Sequence, residues 1–106
     1  VVSNHGGRQL DGAPSTILTL PSIVKAVGGN MEILVDGGFR SGQDLVRALA
    51  LGADGCMLGR AWVYALAAGG QQAVAAMLAS VKQEAELTMA LLGKQSVAEL
   101  GPEDLV

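Results

Sequence analysis

Aromatic side chains are almost missing: Phe39, Trp62 and Tyr64 are the only rings of that kind in 106 residues. So few rings beside fifteen glycines suit parallel α/β architecture, where helices pack closely on strands and backbones approach ligands. The single cysteine, Cys56, excludes an internal disulfide framework and fits a reducing compartment. Positive charge is scarce. Seven Lys and Arg against ten Asp and Glu give a net charge of −3, which leaves no electrostatic footprint for nucleic acid. No apolar run reaches the roughly 18 residues of a membrane span. The chain opens Val1-Val2-Ser3, with neither an initiator Met nor a signal-peptide pattern, so it reads as a piece of something longer.

What is present is a regular alternation. Val1 and Val2 read as the end of a buried strand, and residues 3–14 as a polar loop with the only His. Residues 15–27 have helical spacing at Ile17, Leu20, Ile23, Val24 and Val27. Pro21 predicts two short helical pieces, or a restart with Pro21 in a first turn. Gly28 and Gly29 end that segment. Residues 31–35 form an apolar strand, and Ser41 caps a helix over residues 42–51. Residues 55–58 form a further strand. A short helix over residues 61–68 breaks at Gly69 and Gly70. A long one follows over residues 71–92, striped by Val74, Met77, Leu78, Val81, Ala85 and Met89. Residues 96–105 read as a last short helical segment.

Strand, loop and helix recur three times, at strand spacings that suit βα units of a parallel sheet. Apolar strands of this kind predict cover on both faces. Three strands cannot close a barrel, and a complete (β/α)₈ barrel takes roughly 250 residues. The expected fold class is therefore α/β: residues 1–106 as the C-terminal three βα units of a (β/α)₈ TIM barrel, part of a single domain.

Two loops share one design. Asp36-Gly37-Gly38-Phe39-Arg40-Ser41-Gly42 follows one strand and Gly59-Arg60 the next. Glycines let backbone N–H groups approach an anion, a helix start adds its dipole, and each Arg offers a fork of donors. In barrel enzymes a phosphate site is frequent at the ends of strands seven and eight. Gly38, Arg40, Gly59 and Arg60 are therefore candidates for holding a phosphate, and Asp36 for accepting hydrogen bonds from ligand hydroxyls. The competing reading makes the glycines plain turn residues and the arginines solvated charges.

The loop Ser3-Asn4-His5-Gly6-Gly7-Arg8-Gln9-Leu10-Asp11-Gly12 is sharper. It sets an imidazole three residues from a guanidinium, with two glycines between to permit a tight bend. A carboxylate substrate with an adjacent C–H or O–H needs such a pair: Arg8 to bind the carboxylate, His5 to take the proton. Spacing alone also allows a His and an Arg that merely share a polar loop. Cys56, within an apolar strand, reads as an inert thiol. No His, Cys or Asp cluster has metal-ligand spacing, so no metal is expected.

This loop resembles the signature of the FMN-dependent 2-hydroxy-acid oxidases and dehydrogenases. The resemblance continues through Asp36-Gly37-Gly38-Phe39-Arg40-Ser41-Gly42, Ala48-Leu49-Ala50-Leu51-Gly52-Ala53 and Leu58-Gly59-Arg60, over nearly the whole chain. The phosphate loops alone are shared with other flavin and nucleotide barrels; the histidine loop is far more specific. The resemblance implies FMN as cofactor and oxidation of an L-2-hydroxy acid, L-lactate foremost, to the 2-oxo acid. It implies His5 as catalytic base and Arg8 as carboxylate anchor. Asp36 would contact the ribityl chain, and Gly38, Arg40, Gly59 and Arg60 the phosphate. It further implies a small 2-hydroxy-acid substrate, a homo-oligomer (a tetramer) and no nucleic-acid partner. The location would be cytoplasmic, at the inner face of the membrane if the acceptor is a quinone. The family's flavin-contacting Lys, its substrate-binding Tyr residues and the Asp that pairs with the His lie on earlier strands, outside this chain. Two alternatives stay open: an oxygen-using oxidase of the same family, and a non-catalytic phosphate- or nucleotide-binding barrel fragment.

Overall fold

Backbone pairing begins at Val2. Its N–H donates to the Leu34 carbonyl at 2.8 Å, and its carbonyl accepts from the Asp36 N–H at 3.0 Å. The computed structural model describes residues 1–105. Val2 forms a parallel bridge to Val35. Strand β1, Leu34–Val35, then pairs in parallel with β2, Gly55–Cys56, in the register Leu34 to Gly55 and Val35 to Cys56. The three positions thus lie side by side in chain order, joined by crossovers that carry helix α1, Thr16–Val27, and helix α2, Gly42–Ala50.

Both strands are shorter than expected, and the strand expected at Val1 and Val2 is a single bridge at Val2. At Ile33 the carbonyl still accepts the Asp54 N–H at 2.8 Å, but the Ile33 N–H turns to the Asp54 carboxylate at 2.7 Å. Met31 is 67% exposed and belongs to the preceding bend. Within these residues the helices cover one face of the sheet, as right-handed crossovers in one direction require. Ile33 and Val35 are buried with Val2, Leu20, Phe39, Ala48 and Ala53 in one core, while Leu34, between them, is 38% exposed.

Helix α1 runs unbroken through Pro21, against the expected interruption. Pro21 removes only the bond that would reach the Ile17 carbonyl. Ile17, Leu20, Ile23 and Val24 pack on the core from both sides of it and hold the axis. Gly28, left-handed at φ +59°, closes the helix with its N–H on the Val24 carbonyl at 3.1 Å.

Helix α2 starts at Ser41, whose hydroxyl accepts the Asp44 N–H while the Asp44 carboxylate accepts the Ser41 N–H, each at 3.2 Å. This reciprocal cap fixes the helix start. Helix α3, Arg60–Leu91, is broken at Gly69 and Gly70 as the sequence predicts. Gly70 at φ +64°, ψ −151° occupies backbone space open essentially to glycine alone. Among the described residues no helix is long and apolar enough to cross a membrane. The segment after α3 forms two 3-10 turns, Val97–Glu99 and Pro102–Asp104, rather than one helix. Glycine 101 and Pro102 interrupt it. Lys94 pins it, donating to the Glu99 carbonyl at 2.8 Å and pairing with Asp104 at 3.0 Å.

Candidate active site

Parallel strands in chain order send their C-terminal ends to one edge of the sheet. The loops that leave Val2, β1 and β2 meet there around an open cavity of about 1100 Å³. Its wall includes His5, Arg8, Asp36, Gly38, Gly59 and Arg60, every candidate from the sequence except Arg40. Arg40 is exposed and stands outside that wall; its backbone N–H is held by the Asp44 carboxylate at 3.1 Å.

The histidine loop has a tight internal frame. His5 adopts a left-handed backbone at φ +52°, and Gly6 and Gly7 follow at φ +73° and +67°. The Ser3 hydroxyl accepts the His5 N–H at 3.1 Å and donates to the Asp36 carboxylate at 2.8 Å. Asp36 is thereby tied to the histidine loop as well as to the sheet. Thr16, 4% exposed, donates to the Asp36 carbonyl at 2.6 Å, so the first turn of α1 supports the same strand end. The third loop touches the first: Arg60 Nη2 donates to the Gly6 carbonyl at 3.0 Å. A Cβ on Gly6 would stand 2.8 Å from that guanidinium nitrogen, so a bulkier residue cannot take this place without moving Arg60.

The two helix starts near the cavity differ. At α2 most of the donors are already taken: Asp44 accepts from Arg40 and Ser41, and Glu84, reaching across from α3, accepts the Gly42 N–H at 2.8 Å. At α3 no side chain caps Gly59, and the N–H groups of the first turn have no intrahelical partner. An anion therefore finds its donors at the start of α3, beside Arg60. A Cβ at Gly38 or Gly59 would meet nothing within 4 Å, which leaves open space above both residues. This donor set fits a phosphate. Sequence reasoning on loop design expected both loops to meet at one phosphate; the two carboxylates at α2 hold donors that such a ligand would use.

Several contributors escaped the sequence reading. Ser3 and Asn4 stood inside the motif without a role, and Thr16 and Glu84 passed as helix residues. Asn4 and Ser3, as polar residues before a Gly-Gly turn, carried a local signal. Glu84 carried none, because its partner lies 42 residues away. Cys56 lies outside the cavity wall, and burial, with a smaller push from the Asp44 charge, raises its thiol to about 11.

A parallel α/β unit with a His-Arg loop on the same cavity as an open helix start suits a phosphate-bearing ligand beside an acid–base pair. The chain belongs to the FMN-dependent dehydrogenase family, whose pattern matches residues 1–106. It is 54% identical over 106 residues to the L-lactate dehydrogenase of Chromohalobacter salexigens, covering 100% of this chain and 27% of that protein. It is 55% identical to the L-lactate dehydrogenase of Pectobacterium atrosepticum, covering 100% of the chain and 28% of the relative. Among solved structures, an oxidized active mutant of (S)-mandelate dehydrogenase superposes with a TM-score of 0.90 at 44% identity, over 95% of this chain and 28% of that one. A mandelate oxidase mutant with a monooxide FMN adduct gives 0.87 at 52% identity, over 92% and 31%. The chain thus spans somewhat over a quarter of the length of the curated relatives it matches.

Proposed function

We propose that these residues form the base-carrying and phosphate-holding end of an FMN-dependent L-2-hydroxy-acid dehydrogenase with the architecture of a (β/α)₈ barrel, acting on L-lactate. The observation that carries this reading is the convergence of three strand-end loops on one cavity, with His5 and Arg8 from the first and Arg60 from the third.

In this reading Arg8 receives the substrate carboxylate in a two-point grip, which fixes C2 and its hydroxyl relative to His5. His5 takes one proton from the CH–OH unit and holds it as imidazolium. The bound flavin supplies the two-electron sink. Asp36 accepts hydrogen bonds from the ribityl hydroxyls, held in place by Ser3. Gly38 and Gly59 leave room for the phosphate, and Arg60 and the open N–H groups of α3 neutralise it. Arg40 contributes at longer range. L-lactate is favoured as substrate because the L-lactate dehydrogenases are matched over the full length of the chain.

The test is His5→Ala in the intact flavoprotein, followed by anaerobic mixing with L-lactate. Flavin reduction is expected to slow by about 10²–10⁴-fold, the usual loss for one acid–base group, with FMN retained. Reduction within about twofold of the unmodified enzyme would remove His5 from the chemistry.

A further inference from the structure

We infer that Asn4 is a positioning residue, which holds His5 in its left-handed backbone conformation and locks the histidine loop to the Asp36-Gly37 turn. The inference rests on the reading of His5 as base. Among the described residues His5 is the one non-glycine with positive φ, at +52°. A left-handed backbone is strained for a residue with a side chain, so neighbouring contacts must hold it there.

Asn4 supplies those contacts on three sides. Its side-chain Oδ1 accepts the Gly6 N–H at 3.0 Å, and its backbone carbonyl accepts the Gly7 N–H at 2.9 Å. The two N–H groups that follow His5 are thus both fixed on Asn4. Its Nδ2 donates to the Pro14 carbonyl at 3.2 Å, which ties the start of the loop to its end. Finally, a Cβ on Gly37 would stand 2.7 Å from Asn4 Oδ1, so the Asn4 amide nests where residue 37 has no side chain. Donor and acceptor ends of the amide each face the matching group, which defines its orientation. Asn4 is placed to set His5 without touching the substrate.

The experiment separates the two half-reactions of the intact holoenzyme. Flavin reduction by L-lactate needs the aim of His5; reoxidation by a dye acceptor does not. Asn4→Ala is expected to slow reduction about tenfold or more, as misplacement by a fraction of an ångström does, while reoxidation, FMN affinity and melting temperature stay near those of the parent. Asn4→Asp keeps the acceptor for Gly6 and the shape of the side chain, and is expected to retain about a third or more of the parent rate at pH 8. Reduction by Asn4→Ala at the parent rate overturns the inference, and so does an equal loss in both half-reactions with a lowered melting temperature. If Asn4→Ala does not fold, Asn4→Asp decides: a rate about tenfold down overturns it. His5→Ala runs alongside. If that variant also reduces normally, the assignment of the base fails; if it alone is slow, only the role of Asn4 fails.

Discussion

Arg60 and Arg40 look equivalent as letters, each within a glycine-containing loop that leaves a strand. In space they differ. Arg60 lines the cavity beside the open start of α3, and Arg40 stands outside the wall next to a helix start already filled by Asp44. Arg60→Ala should therefore weaken FMN more than Arg40→Ala does, and neither should much affect riboflavin, which lacks the phosphate. Equilibrium flavin titration of both variants measures this; equal losses would place the phosphate between the two loops. Cys56 gives a second residue-scale expectation. With its thiol raised to about 11 by burial, it should alkylate slowly at pH 8. The rate should rise with pH until the thiolate dominates, as a pH series with iodoacetamide would record. A plateau near pH 8.5 would mean that the thiol is solvated. At this scale the sequence was informative wherever chemistry is local. The polar character of the His loop and the glycines of the phosphate loops could be read directly. The different fates of Arg40 and Arg60 could not, since they depend on which helix start another element has filled.

Among the elements, α2 and α3 make the closest approach. Gly42 opens α2 directly against α3: a Cβ there would overlap the Val81 carbonyl, the Ala85 N–H and the Glu84 side chain. Gly42→Ala should destabilise by about 1–3 kcal/mol or more, because the added methyl meets backbone that cannot rotate away. Chemical denaturation of the intact protein tests it, and an unchanged midpoint would show that the helices separate freely. Helix positions were legible from periodicity and caps: Ser41, Gly28 and the Gly69-Gly70 break all stand where the pattern put them. Strand lengths were not, because apolar runs continue past the point where backbone pairing stops. The unbroken passage through Pro21 was not either, since it depends on packing from residues on both sides of the ring.

For the molecule as a whole, the parallel order in chain sequence is the order that consecutive units of a (β/α)₈ barrel have. A radius of gyration of 14.4 Å exceeds the roughly 13 Å of a compact domain of about 100 residues. Leu34, Leu66, Leu78, Leu87 and Leu91 are all exposed, by 38%, 48%, 51%, 59% and 81%. The 106 residues expressed alone should aggregate or form a molten state and retain no flavin. Purification followed by a thermal melt and a visible absorbance spectrum decides this. A cooperative transition with bound FMN and turnover of L-lactate would show that these units suffice.

The closed start of α2 has a consequence for selectivity by valence. With Asp44 and Glu84 seated on donors of that start, the open helix start beside the cavity is that of α3. A ligand ending in one phosphate would need no more. The second phosphate of a pyrophosphate-linked dinucleotide would find the donors of α2 largely taken. Discrimination of FMN from FAD would then lie less in what the site attracts than in the helix start that has been shut.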